Sequence, residues 1–195
     1  MRCVRKDTKT EDGLVPNSGE CEAETMLDIA RAQACDIDRI VELRHSVEDW
    51  LASRQIVQWT PREIPDSVFC DQVAAGEYYV ARLEGLPEIV GACRLLWADR
   101  ALWQDETFAG YVHGLVVDRA HAGTGIGGVL LDWAGRTARA AGADRLRLDC
   151  VDTNTALCAY YRAAGFIQVG HRSIGASRGV ALFQRTLTEP LICDR

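Results

Sequence analysis

No stretch of the 195-residue chain approaches the ~20 consecutive apolar residues that cross a bilayer, so no transmembrane helix and no membrane partner are expected. The segment MRCVRKDTKTEDGLVPNSGE is charged and lacks the apolar core of a signal peptide, which makes the cytoplasm the expected compartment. The eight cysteines form no CxxC, no Cys/His cluster and no metal-ligand spacing. Reduced thiols are expected, with neither a disulfide framework nor a metal. A long run of one charge sign is also missing. With a formal net charge of −6 the chain has no basic face to meet phosphates, which excludes nucleic acid as a partner. An acidic balance suits a cationic ligand such as an amine, and it also serves solubility.

A hydrophobic content of 48% and this length suffice for one core and not for two enzyme domains. Residues 1–24 carry few large apolar side chains and are expected to be a disordered tail, with a single domain over 25–195. MLDIARAQ reads as a strand. CDIDRIVELRHSVEDWLASRQ places Ile37, Ile40, Val41 and Leu43 near helical spacing, with Asp36 or Cys35 at its start. A short helix is predicted around Val68 to Ala75, ended by Gly76. EYYVARLEG and PEIVGACRLLWAD predict a hairpin, and YVHGLVVD the fourth strand. RLRLDCV, FIQVGHR and GVALFQRTL are further strands, and NTALCAYYRAAG is a helix closed by Gly165. The order implies a mixed sheet flanked by helices, an α/β (α+β) fold.

The helix opened by GTGIGG has its apolar face at Ile126, Val129, Leu130, Trp133, Ala134 and Ala138. Its first turn offers free backbone N–H groups and the positive end of its dipole, and the missing Cβ atoms admit a phosphate. Gly123, Gly125 and Gly128 also satisfy the dinucleotide pattern GxGxxG, with Asp149 about twenty residues on. Against that reading, the five residues DRAHA separate Val117 from Gly123, where the dinucleotide turn follows its strand almost directly. The chain beyond the turn also predicts too few βα units for a nicotinamide fold. No Lys-Ser or Lys-Thr follows the glycines, which excludes a P-loop.

LVVDRAHAGTGIGGVLLDWA resembles the acetyl-CoA signature of the GNAT superfamily, (Q/R)xxGxG(A/G) after a strand. LRLDCVDTNTALCAYYRAAGFIQVG is similar to the family's next block, a strand, an Asn, then a helix ending in Tyr-x-x-x-Gly-Phe, here Asn154, Tyr161, Gly165 and Phe166. The match is close over residues 111–170. It implies a central sheet of six to seven strands with about four helices, splayed at the fourth strand, and an N-acetyltransferase that uses acetyl-CoA. The resemblance assigns the cofactor to Leu115, Val116 and Val117 on the strand, to Ala122, Gly123, Thr124, Gly125, Ile126, Gly127 and Gly128 in the turn, and to Asn154 and Tyr161. Ala122 stands where the family has Gln or Arg and can contribute only its main chain, with Arg119 as a nearby charge.

By the same resemblance Tyr161 is the general acid, a phenol returning a proton to the thiolate; the alternative is that it packs like Tyr160. Of the two adjacent tyrosines, only one is expected to face the cofactor. Asn154 either holds the pantetheine or caps its helix. His113, two residues before Leu115, is the candidate general base, as in arylalkylamine acetyltransferases; the alternatives are a packing histidine or ordered water as base. His121 is expected to face solvent. The acceptor is expected to be a small-molecule amine, or a peptide amine, met by the first helices and their loop. Glu42, Glu48, Asp49, Asp99, Asp105 and Glu106 could meet its ammonium and Trp50, Trp59, Trp97 and Trp103 its body, but core roles for the tryptophans and solvated roles for the carboxylates are the stronger reading, and none is assigned to the acceptor. A homodimer is a further expectation from the family. The alternatives to an enzyme of this kind are a non-catalytic acetyl-CoA-binding module and a nicotinamide-dependent oxidoreductase.

Overall fold

The computed structural model describes residues 27–174 and 178–187, so the tail read over 1–24 lies outside the described residues. In chain order the elements are β1 (Leu27–Arg31), α1 (Ile37–Ser53), α2 (Asp66–Ala74), β2 (Tyr78–Leu83), β3 (Ile89–Leu96), β4 (Gly110–Val117), α3 (Ile126–Ala140), β5 (Arg145–Val151), α4 (Thr155–Ala163), β6 (Ile167–Ile174) and β7 (Arg178–Thr186). The strands form one open sheet in the order β1-β2-β3-β4-β5-β7-β6. All neighbours are antiparallel except β4 and β5, which α3 joins as a crossover. The mixed seven-stranded sheet with four helices is the expected architecture.

Helices cover both faces. On one, Ile126, Leu130, Leu131, Ala134 and Ala138 of α3 pack with Leu146, Leu148 and Cys150 of β5 and with Cys158 and Tyr161 of α4. The expected face of α3 is corrected at one position: Leu131 is fully buried, whereas Val129 is 38% exposed. On the other face Ile40 and Leu43 of α1 and Phe69 and Val73 of α2 pack on Val80, Ala92 and Val116. Asp36 does not cap α1 with its side chain; its carboxylate accepts from the Gln33 N–H at 2.9 Å and from Arg82 at 2.6 Å. The loop between β3 and β4 brings Leu102 and Trp103 onto Tyr111, Val180 and Leu182, and Arg147 is held there by Asp105 and by the ring of Trp103 at 4.3 Å.

Two irregularities in β4 interrupt the middle of the sheet. Ala92 is opposite Val116 and Arg94 opposite His113, so β4 carries one residue more than β3 across this stretch. Gly114, with φ of +57°, sits in that bulge, a conformation for which glycine is suited. The extra residue changes which side of the sheet the strand addresses: Val112 packs with α3, but Val116 packs with α1 and α2. On its other edge β4 pairs with β5 only at Gly110↔Leu146 and Tyr111↔Arg147. Beyond Tyr111 the two strands part, which is the expected splay.

Candidate active site

The parted strands open into a cleft of about 650 Å³. Its polar ingredients come from several elements. After β4, Asp118 accepts from the Ala120 N–H at 2.8 Å and fixes a short 3-10 turn at Arg119–His121. Gly123 and Gly125 come next at φ of +85° and +86°, which lets the chain turn sharply into α3, whose first residues Ile126 and Gly127 line the cleft where a helix start has unpaired N–H groups to offer. Arg119 lies over the Trp50 ring at 3.9 Å, so a fixed positive charge lines the cleft beside the glycine turn. The donor set of glycine amides, helix dipole and guanidinium fits a pyrophosphate.

Leu115, Val117, Ala122, Gly123, Gly125, Ile126, Gly127, Asn154, Tyr161 and His113 all line the cleft. Three of the residues assigned to the cofactor do not. Val116 is buried against α1 and α2, because the bulge turns it to that face. Thr124 is exposed and donates its hydroxyl to the His121 carbonyl at 2.8 Å, and the Gly128 N–H is taken by the Gly125 carbonyl at 2.9 Å. The environment of His121 also corrects its expected solvent role. It lines the cleft, and its Nδ1 is buried without a partner.

Both tyrosines of α4 reach the cleft, where only one was expected. Tyr161 is 7% exposed among Phe166 and Phe183, and burial drives its phenol well above its ordinary range. Tyr160 instead lays its hydroxyl over Gly127, 2.7 Å from where a Cβ would stand. Asn154 caps α4, accepting from the Leu157 N–H at 3.2 Å, while its amide donates to Gln58 at 3.4 Å. Gln58 also accepts from the Val151 N–H at 3.3 Å and so pins the loop after α1 across the end of β5.

His113 and Asp149 stand on the face of the sheet opposite Tyr161. Along β5 the residues Leu146, Leu148 and Cys150 join the α3 cluster, which leaves Asp149 on the α1 side. His113 Nδ1 is 3.8 Å from Asp149 Oδ1, and its Nε2 is 3.4 Å from Asp99 Oδ2, brought in by the loop after β3. These contacts fall short of aligned hydrogen bonds: His113 Nε2 and Asp99 Oδ2 are buried without a partner. Burial, opposed by His113 and reinforced by Asp99, raises the Asp149 carboxyl above its usual range. For Asp99 the same burial is outweighed by His113 and by the N–H groups of Leu102 and Ala101, and its carboxyl is lowered.

Of the other carboxylates considered from sequence, Glu42 pairs with Arg39, Glu48 with Arg44, Asp49 with Arg62 and Asp105 with Arg147; Glu106 is exposed near Arg100. Trp50 and Trp59 line the cleft, while Trp97 stacks outside it on Phe108 and Trp103 is buried with Tyr111. Asp149, read from sequence only as the acid of a dinucleotide site, has its place beside His113 instead. A carboxylate alternating with apolar residues in RLRLDCV carried the signal for it. Gln58 and Ile56 carried none, because a loop's path over a sheet is not written in a local pattern.

A glycine-opened helix beside a parted parallel pair defines a class of enzymes that bind an acyl carrier, and the comparisons give its family. The pattern described as "Acetyltransferase (GNAT) family" matches residues 44–166, and the chain belongs to that family. The uncharacterized N-acetyltransferase YesJ of Bacillus subtilis (strain 168) is 30% identical over 164 residues, covering 78% of this chain and 86% of the relative. A GNAT acetyltransferase from Listeria monocytogenes 4b F2365 shares the fold at a TM-score of 0.71 and 23% identity, over 83% of this chain and 95% of its own. The yncA protein of Salmonella typhimurium, a putative acetyltransferase solved with its cofactor acetyl-CoA, matches at a TM-score of 0.59 and 19% identity, over 87% and 98% of the two chains. The repeated βαβ halves of a nicotinamide fold are not built by this sheet, whose one parallel pair is β4 and β5 among the described residues.

Proposed function

We propose that the chain transfers the acetyl group of acetyl-CoA to a primary amine by direct attack of the amine on the thioester. The observation that carries this reading is the splay itself, with Tyr161 on one face of the sheet and His113 with Asp149 on the other. When bound, acetyl-CoA supplies an activated acyl group and a thiolate leaving group. Arg119 and the amides around Gly123 and Gly125 hold the pyrophosphate, and the unpaired β5-facing edge of β4 from Val112 onward receives the pantetheine. A β4 main-chain N–H at the splay would meet the developing oxyanion. Leu115, Ile126 and Leu157 exclude water from the thioester.

On the acceptor face, His113 takes the proton of the incoming ammonium, its imidazole set between Asp99 at 3.4 Å and Asp149 at 3.8 Å. On the other face the Tyr161 hydroxyl gives a proton to the departing sulfur. Its raised pKa keeps it protonated across the working pH range, as a donor requires. The test is Tyr161→Phe. Turnover, monitored by release of free CoA thiol, falls by about 10²–10⁴-fold, while the rise in melting temperature with acetyl-CoA is retained. Unchanged turnover would remove Tyr161 as the acid. A wild-type protein that binds acetyl-CoA and turns over no amine would favour a non-catalytic module.

A further inference from the structure

The cleft is electrically polarised. Arg119 and the start of α3 line its cofactor side, and Asp149 lines the face toward α1. Among the described residues the sole ion-pair contact of Asp149 is His113, and the same holds for Asp99. One ligand atom each of Asp99, His113 and Asp149 lies within 4.8 Å of the other two, as donors and acceptors converge around a cation. A second observation points the same way. The Asp99 side chain is only 9% exposed, its Oδ2 is unpartnered, and it is directed at His113. Two carboxylates held this close, with no guanidinium to share them, leave a negative site that a cation would complete.

The walls beside that site are apolar. Leu51, Ile56 and Trp59 line the cleft on this side, and Arg44, which lies over the Trp59 ring at 3.7 Å, is committed to Glu48 at 2.7 Å. Among the described residues the one Lys or Arg lining the cleft is Arg119, and it stands on the cofactor side beside the glycine turn, so the Leu51, Ile56 and Trp59 side has no guanidinium or ammonium to receive an acceptor's own carboxylate. We propose that the acceptor is a primary amine with an apolar body and no carboxylate beside the amine, its ammonium held by Asp149 and His113, with Asp99 positioning His113. This rests on the amine-acetylation reading and narrows its substrate class. An amino acid would bring its α-carboxylate within a few ångströms of Asp149 and be repelled. A polyamine would leave further ammonium groups against Leu51, Ile56 and Trp59 without partners.

The experiment titrates phenethylamine, phenylalanine and spermidine into the wild-type protein by calorimetry, with and without saturating CoA, and measures acetyl transfer to each. Phenethylamine is expected to bind, and to be acetylated with a kcat/KM at least 100-fold above that of phenylalanine. Asp149→Asn is expected to weaken phenethylamine binding at least tenfold while keeping the thermal shift with acetyl-CoA. Asp99→Asn serves as a second variant: its KM for phenethylamine stays within about threefold while the acidic limb of its kcat–pH profile moves. Equal use of phenylalanine, preference for spermidine, or loss of amine binding on adding EDTA, as a metal at the cluster would cause, overturns the proposal. Absence of any thermal shift with acetyl-CoA would instead sink the transferase reading, and the titration without CoA still reads the Asp149 site.

Discussion

Gly127 has no room for a methyl group as long as Tyr160 stays where it is, since the Tyr160 hydroxyl is 2.7 Å from the missing Cβ. Gly127→Ala is expected to push that ring aside and raise the KM for acetyl-CoA several-fold, and adding Tyr160→Phe, which removes the obstructing oxygen, is expected to restore most of it. Non-additivity in this two-residue cycle, read from initial rates, is the check. Asp149 carries a different kind of strain. Its folded carboxyl pKa is raised from 3.8, so the residue adds no penalty while protonated in both states at low pH, and costs stability as pH rises through the folded value. Asp149→Asn should therefore melt higher than wild type at pH 7, with the difference closing toward pH 4. Equal melting at pH 7 would contradict the burial penalty.

At the scale of elements, α1 is tied to the loop after it by a residue that sequence reading left among the acidic candidates. Glu48 is 1% exposed, pairs with Arg44 at 2.7 Å and accepts from the Arg62 N–H at 2.9 Å. Glu48→Ala leaves the Arg44 charge buried and is expected to cost about 3–5 kcal/mol in denaturant melts, whereas Asp49→Ala, one residue on and exposed, should leave the midpoint unchanged. Strands, helices and the glycine turn were legible because each rests on a local period or a local φ requirement, as at Gly123 and Gly125. The face of α3 was misread at Val129 because periodicity cannot say where the sheet ends. The side chain of Val116 faces α1 and α2 rather than the cleft because a bulge at Gly114 turns the strand over, and a single glycine in YVHGLVVD announces a bulge without fixing its consequence. The His113, Asp99 and Asp149 cluster joins three separate segments, so no spacing along the chain could have shown it.

For the whole molecule, the splay divides the sheet into two blocks, β1 to β4 and β5 to β7, laced along their shared edge at only two register positions. Across that edge the blocks are bridged mainly by side chains of α3 rather than by backbone hydrogen bonds. Amide hydrogens of Val112 to Val117 that point toward β5 therefore have no ladder partner to slow their trade with deuterium, while those pointing toward β3 do. In the free protein, deuterium uptake should be fast in this half of β4 and slow in β3, and acetyl-CoA should slow it there more than anywhere else outside the glycine turn. The acyl donor would then act as a temporary eighth strand, one that closes the seam of the sheet each time a catalytic cycle begins.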